Sequence, residues 1–271
     1  MKEINKEYFS NISKIVNEAS YNYASFNDYK DLVSIENIKN ENNYSSLKSK
    51  LAEDGFVVIQ MNNEDESNPD NVEIWLKNLF GDSFSDKNPG KLNYAKVQAE
   101  NNAKFYINSN LAQPLHTDEG HTRLYPRHAA LHCLKQAQSG GDSIVVQFKS
   151  VYAELKVKFG SQVDLLFEKN AVMVHNVYGK EEKQILIRLE DNVVGISYSP
   201  VLQKMWCSDI VFQMFDFITS YAHNPKNQIR FKLKSGQTLI LDNCLVLHGR
   251  TQFPKNDGRL LYRYWFGNNA L

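Results

Sequence analysis

The chain has 271 residues, 42% hydrophobic and 23% charged, the balance of a globular protein with material for one sizeable core. Lys+Arg and Asp+Glu both number 31, a formal net charge of zero, which removes the electrostatic reason to expect nucleic acid or an acidic membrane as partner. Lys2 onward is too charged for a secretory signal, no apolar run approaches a membrane span, and Cys133, Cys207 and Cys244 form no close pair, so no disulfide framework is expected and the reducing cytoplasm is the default compartment.

Residues 1–45 read as a helix followed by an arm packed over the body, because the polar run carries Tyr8, Phe9, Tyr21, Tyr23 and Phe26. Ser45–Leu51 predicts a helix that stops near Gly55, and Phe56–Ile59 a short buried strand. Asn71–Phe80 has helical spacing and Gly81 as its stop. From about Lys91 the pattern turns to short strands: Lys104–Ile107, Ala129–Leu134, Ser143–Val146, Ala171–His175, Ile185–Leu189 and Val193–Tyr198, then Ile229–Leu233, Thr238–Leu241, Val246–His248 and Leu260–Trp265. Ser139–Asp142, Asp191–Asn192, Lys234–Gly236 and Asn256–Gly258 supply turns between them. Two helices interrupt, one around Val151–Lys158 and one from Ser208 to about Ala222. The expectation is a single domain over 1–271, mainly β with flanking helices, built on a double-stranded β-helix of jelly-roll, cupin-like type.

Within this pattern stand His116-Thr117-Asp118 and, far downstream, His248-Gly249-Arg250 with Arg259 shortly after. In an extended segment His116 and Asp118 project to one side and could reach one ion. Two histidines and a carboxylate hold ferrous iron on one face and leave the remaining positions open. Each piece also has a plainer reading: a surface turn capped by Asp118, a satisfied core histidine at 248, and a surface arginine at 259. The joint occurrence favours a metal site.

On these residues the chain resembles the iron(II)- and 2-oxoglutarate-dependent dioxygenases of the taurine dioxygenase (TauD/TfdA) superfamily, and most of all the γ-butyrobetaine hydroxylase-like branch. Leu115–Asp118, Pro126, Leu131–Gln136, Gly140–Ser143, Leu241–Asn243, Leu247–Arg250 and Arg259 follow that branch. The resemblance implies that His116, Asp118 and His248 bind Fe(II). It implies that Arg259, assisted by Ser143, holds the distal carboxylate of 2-oxoglutarate, as suits a planar guanidinium. Arg263, two pleats further, is expected to face the same side, holding either the acidic end of a substrate or 2-oxoglutarate itself. Arg250 is expected to be structural and salt-bridged. With O2 as co-substrate, such an enzyme oxidises an unactivated C–H bond and releases succinate and CO2. A carboxylate at 118, where related halogenases carry a small residue, argues for hydroxylation, desaturation or another oxidation over halogenation.

The chain departs from the branch just after Asp118. Glu119-Gly120-His121-Thr122-Arg123 stands where butyrobetaine-type enzymes carry aromatic cage residues for a trimethylammonium group, and the cysteine-bearing amino-terminal zinc domain is missing. Glu119, His121 and Arg123 instead suggest a small-molecule substrate of mixed charge, an amino acid or a derivative, with Tyr106 and Asn108 as further lining. Each of these five also reads as a solvated loop residue. The competing outcomes are desaturation or isonitrile-forming oxidative decarboxylation on the same cofactors, a non-catalytic metabolite-binding barrel, or a protein-modifying oxygenase. His132, His175 and His223 read as structural, and the oligomeric state is not legible.

Overall fold

The computed structural model describes residues 1–22, 33–35, 41–61, 68–84, 94–103, 105–176, 179–202 and 204–270. In chain order it contains β1 (Lys2–Ile4), α1 (Lys6–Asn22), β2 (Val33–Ile35), α2 (Glu41–Asp54), β3 (Phe56–Met61), α3 (Pro69–Phe80), β4 (Tyr94–Val97) and β5 (Gln113–His116). There follow β6 (Leu124–Lys135), β7 (Ser143–Gln147), α4 (Phe148–Phe159), β8 (Val172–Asn176), β9 (Gly179–Lys183), β10 (Leu186–Arg188), β11 (Val194–Ile196) and β12 (Lys204–Cys207). The chain closes with α5 (Asp209–His223), β13 (Ile229–Phe231), β14 (Gln237–Asp242), β15 (Val246–Arg250) and β16 (Leu260–Ala270).

Two sheets make the jelly-roll core, one ordered β2-β3-β14-β6-β16-β4 and one ordered β13-β7-β15-β5. The period-2 alternation of a strand decides what lies between them and what lies outside. Phe56 and Val58 of β3, Leu239 and Leu241 of β14, and Ala129 and Cys133 of β6 point inward to meet Val145 of β7 and Val246 of β15. Their neighbours Val57, Ile59 and Ile240 point outward onto Leu47 and Leu51 of α2 and Val72, Trp75, Leu76 and Leu79 of α3. Behind the smaller sheet, Leu115, Ile144, Val146 and Leu247 pack on Val151 and Leu155 of α4, on Met214, Phe215 and Ile218 of α5, and on Phe9, Ile12 and Val16 of α1. Each such large side chain contributes about 1.5–3 kcal/mol when fully buried, so the helices are pinned by the outer faces of the same strands that close the barrel.

Local signals set the boundaries. Asn68 caps α3 by accepting from Asp70 N, with Pro69 at the first helical position and Gly81 after the last; Ser208 caps α5 by accepting from Val211 N. α2 starts four residues before the expected helix, and α4 runs from Phe148 rather than Val151. The expected strand at Lys104–Ile107 does not form: Lys104 lies outside the described residues, and Tyr106–Asn108 is a 3-10 turn closed by Ser109 N donating to Tyr106 O. Tyr23, Phe26 and most of the expected arm lie outside the described residues. β1, β2, β4, β5, β9 and β12 are strands that the hydrophobic pattern does not announce. No helix among the described residues is long and apolar enough to cross a membrane.

Candidate metal centre and anion cavity

His116 and His248 are direct cross-strand partners, one at the end of β5 and one in β15. Their rings lie 4.5 Å apart, centroid to centroid. The close approach of these strands needs Gly249, where an added Cβ would sit 2.6 Å from the Gln113 carbonyl oxygen. Asp118 reaches the histidines differently from the extended geometry expected. β5 ends at His116, and residues 117–120 turn back, with Gly120 N donating to Thr117 O at 3.0 Å. Asn243, in the β14–β15 turn, fixes that turn: its Oδ1 accepts from Asp118 N at 2.7 Å and its Nδ2 donates to Asp118 O at 2.9 Å. The Asp118 oxygens then stand 3.6 Å from His116 Nε2 and 3.7 Å from His248 Nε2.

The hydrogen bonds and charges suit a metal. His116 Nδ1 bonds the Pro114 carbonyl at 2.9 Å, which turns Nε2 toward Asp118. Gln113 Nε2 lies 3.1 Å from that nitrogen, so its amide and a metal there exclude each other. Burial pushes the His248 imidazole down to about 3, reinforced by His116 and Arg263 against the pull of Asp118. Burial opposes ionisation of Asp118, but Arg263, His248 and His116 together hold it well below the usual carboxylate range. A neutral His248 and an ionised Asp118 are the forms in which these side chains bind a divalent metal. Donor atoms of all three lie within 4.8 Å of one another.

Asp118 and His248 border a cavity that also takes in Ser143, Arg259 and Arg263, walled by Val97, Ile107 and Leu131. Arg259 is 5% exposed, and its Nη1 has no hydrogen-bond partner among the described residues. Such an orphan buried donor is costly unless an acceptor meets it. Phe253 lies between Arg259 and Arg250, with the guanidinium carbons 5.2 and 4.9 Å from its ring centroid. Gly140 and Gly141 make room for this arrangement. An added Cβ would meet Gln252 O at 2.0 Å from Gly140 and the Arg259 Cδ and Nε at 3.1 Å from Gly141. Arg259 and Arg263 share the cavity, as the pleat predicts. Arg250 is buried and structural, yet its partners among the described residues are carbonyls, Ser109 O at 2.8 Å and Leu111 O at 2.7 Å, rather than the expected carboxylate.

A model of the "Taurine catabolism dioxygenase TauD, TfdA family" matches residues 26–265. The chain belongs to this family. Within the family it is 25% identical over 182 residues to 3-((Z)-2-isocyanoethenyl)-1H-indole synthase of Fischerella ambigua, a match covering 60% of this chain and 66% of that one. It is also 25% identical over 164 residues to mitochondrial trimethyllysine dioxygenase of Mus musculus, covering 53% of this chain and 38% of the relative. The chain thus spans less than two thirds of the length of these relatives. Among solved structures it shares its fold with asparagine oxygenase in complex with Fe(II), 2S,3S-3-hydroxyasparagine and succinate, at TM-score 0.69, 15% identity, 99% of this chain and 92% of that one. The donor set and the arginine-lined cavity fit ferrous iron and 2-oxoglutarate, a divalent metal and a dianion.

The remaining expected residues scatter. Tyr106 turns to α1, its hydroxyl 2.7 Å from Ser13 Oγ, and Asn108 donates to Glu100; the cavity wall there is Ile107. Glu119 follows Asp118 in the left-handed region at φ 55°, an uncommon conformation for a side-chain-bearing residue. His121 is half-buried and pushed down to about 4 by burial, Lys183 and His116 against Asp118. Arg123 is exposed, its main-chain N–H bonded to Glu181 at 3.2 Å. None of these three borders the arginine cavity. Three residues that touch the site were not singled out as such from the sequence: Gln113, Trp265 and Asn243. For Trp265 a signal existed, since it shares a strand face with Arg263.

Proposed function

We propose that the chain is an Fe(II)- and 2-oxoglutarate-dependent oxygenase that oxidises an unactivated C–H bond of a small charged metabolite, an amino acid or a derivative, by hydroxylation. What carries this is the convergence of His116, Asp118 and His248 within 4.8 Å beside a cavity that holds Arg259, Arg263 and Ser143. In this account the triad ligates iron. The Arg259 guanidinium clamps the distal carboxylate of 2-oxoglutarate, with the Ser143 hydroxyl beside it. Iron and 2-oxoglutarate, when bound with O2, supply the oxidising power and release succinate and CO2. The chain's own residues position the reactants and keep water out: Val97, Ile107 and Leu131 dry the cavity, and Arg263, which lines it beside Asp118, is placed to take a carboxylate. The turn Glu119–Arg123 follows Asp118 but does not border that cavity, which leaves Arg263 as the charged group for the substrate. A chain whose three cysteines are all free suits the cytoplasm.

A second outcome on the same cofactors, isonitrile-forming oxidation, draws support from the similarity to the isocyanoethenyl-indole synthase. Mass spectrometry on an amino-acid panel with Fe(II), 2-oxoglutarate and air separates the two. Hydroxylation adds one oxygen to the substrate; the isonitrile-type route removes hydrogen or CO2 from it. A panel in which no member stimulates succinate release above the substrate-free rate would contradict the assignment to amino acids.

A further inference from the structure

β16 sends two side chains to Asp118. Residues 263 and 265 lie on one face of the strand. Trp265 Nε1 donates to Asp118 Oδ2 at 2.7 Å, and Arg263 Nη1 donates to Oδ1 at 3.3 Å. The two donors stack, the guanidinium carbon 3.8 Å from the indole centroid. Trp265 is held from three sides. Its backbone pairs with Ala129 of β6, its carbonyl accepts from Phe84 N at 2.8 Å, and the Phe84 ring meets the indole edge-on at 5.8 Å. The indole nitrogen is a donor only and does not titrate, so its grip is independent of the protonation of its neighbours. Arg263, by contrast, sits on a long flexible stem, its bond to Asp118 is the longer of the two, and its buried Nε has no partner among the described residues.

We infer that Trp265 is a positioning residue for the metal-binding carboxylate: it occupies Oδ2 and leaves Oδ1 as the oxygen for the metal, with Arg263 the donor that gives way. This rests on the reading of His116, Asp118 and His248 as the metal ligands. Partners that orient a ligand from behind are worth about 10–100-fold in metal affinity. Trp265→Phe keeps an aromatic ring under Arg263 and removes only the N–H. Titration of the full chain with Co(II), followed by its visible absorption, is expected to give binding weakened by about tenfold or more and an altered band shape, while Trp206→Phe, on β12 with its indole donating to Glu3, binds as wild type. A folded Trp265→Phe chain with wild-type Co(II) affinity and spectrum overturns the assignment. Should that variant not fold, the wild-type chain decides by NMR: on adding Zn(II), the Trp265 indole proton is expected to stay protected from exchange, and loss of protection overturns the assignment. Wild-type Co(II) binding by Asp118→Ala would instead remove the metal reading beneath it.

Discussion

Asn243 holds Asp118 by its backbone, accepting from its N–H at 2.7 Å and donating to its C=O at 2.9 Å, with a further bond from the same Nδ2 to Pro126 O at 2.9 Å. One buried amide thereby ties the β5–β6 turn to the β14–β15 turn, and so sets the carboxylate against His248, which lies five residues further on. Asn243→Ala removes these three bonds from main-chain groups in a buried place. The expected loss is about 1–3 kcal/mol of stability per unmet group, read by urea denaturation, together with weaker Co(II) binding. Unchanged stability would mean that the turn holds its shape without the amide.

Arg259→Gln removes the guanidinium fork and its charge but keeps a shorter polar side chain. Truncating one partner of a buried charge pair costs about 2–5 kcal/mol, so the KM for 2-oxoglutarate should rise by a factor of thirty or more while Co(II) affinity stays near wild type. Arg259→Lys should recover only part of the loss, because an ammonium is a point charge. A steady-state KM for 2-oxoglutarate within a factor of two of wild type in Arg259→Gln would exclude the clamp.

Gly140 and Gly81 share a positive φ, 60° and 82°, but differ in surroundings: a Cβ at 140 meets Gln252 O at 2.0 Å and a Cβ at 81 meets nothing within 4 Å. Alanine at either position carries the strain of the left-handed region, about 1 kcal/mol or more. Only Gly140→Ala also displaces the loop after β15 that carries Phe253, against whose ring Arg259 lies. Gly140→Ala should therefore lower the thermal midpoint more than Gly81→Ala and weaken 2-oxoglutarate binding, which Gly81→Ala should leave alone. Equal effects from the two would show that φ alone matters.

His223 joins α5 to β5 as a neutral ring. Nδ1 lies 2.8 Å from Thr219 O, and Nε2 accepts from Leu115 N at 3.0 Å. Protonating Nε2 abolishes the second bond. Burial pushes His223 down to about 4, with His116 adding to the effect and the Thr219 bond opposing it. The unfolded chain, with an ordinary histidine near 6.5, binds the proton first. The contribution of this group is therefore full above about 6.5 and falls by up to about 1.4 kcal/mol per pH unit down to about 4. Denaturation of wild type and His223→Gln at several pH values tests this: the wild-type curve should be steeper by close to one proton over that window. Parallel curves would contradict it.

The strands of the core were legible because they alternate between two apolar environments, as Val57 and Val58 do on opposite faces of β3. Those that escaped notice lack that pattern for a physical reason. β5 and β4 are the edges of their sheets, where Pro114 and Lys96 are tolerated, and β9, Gly179–Lys183, buries only Lys183 fully. Their strand character comes from pairing with β15, β16 and β8. Tyr106-Ile107 shows the converse, an aromatic and β-branched pair bent into a 3-10 turn by contacts to Ser13 and Arg250 that no local pattern encodes. At the site, His116, Asp118, His248 and Arg259 could be picked out because their spacing matches a known arrangement. Asn243 could not be given a function without knowing that the β14–β15 turn arrives at Asp118; Trp265 shares a strand face with Arg263, but nothing local encodes that this face meets Asp118. Tyr106 and Asn108 sit in the right stretch of chain, but their side chains leave the cavity.

The most direct test of the central claim is succinate release from 2-oxoglutarate by the purified chain with Fe(II) in air, compared with Asp118→Ala and Arg259→Gln. The account requires turnover by wild type that disappears in Asp118→Ala and, in Arg259→Gln, returns only at high 2-oxoglutarate. A folded wild-type chain that takes up Fe(II) yet forms no succinate, or an Asp118→Ala chain that forms as much as wild type, would contradict it.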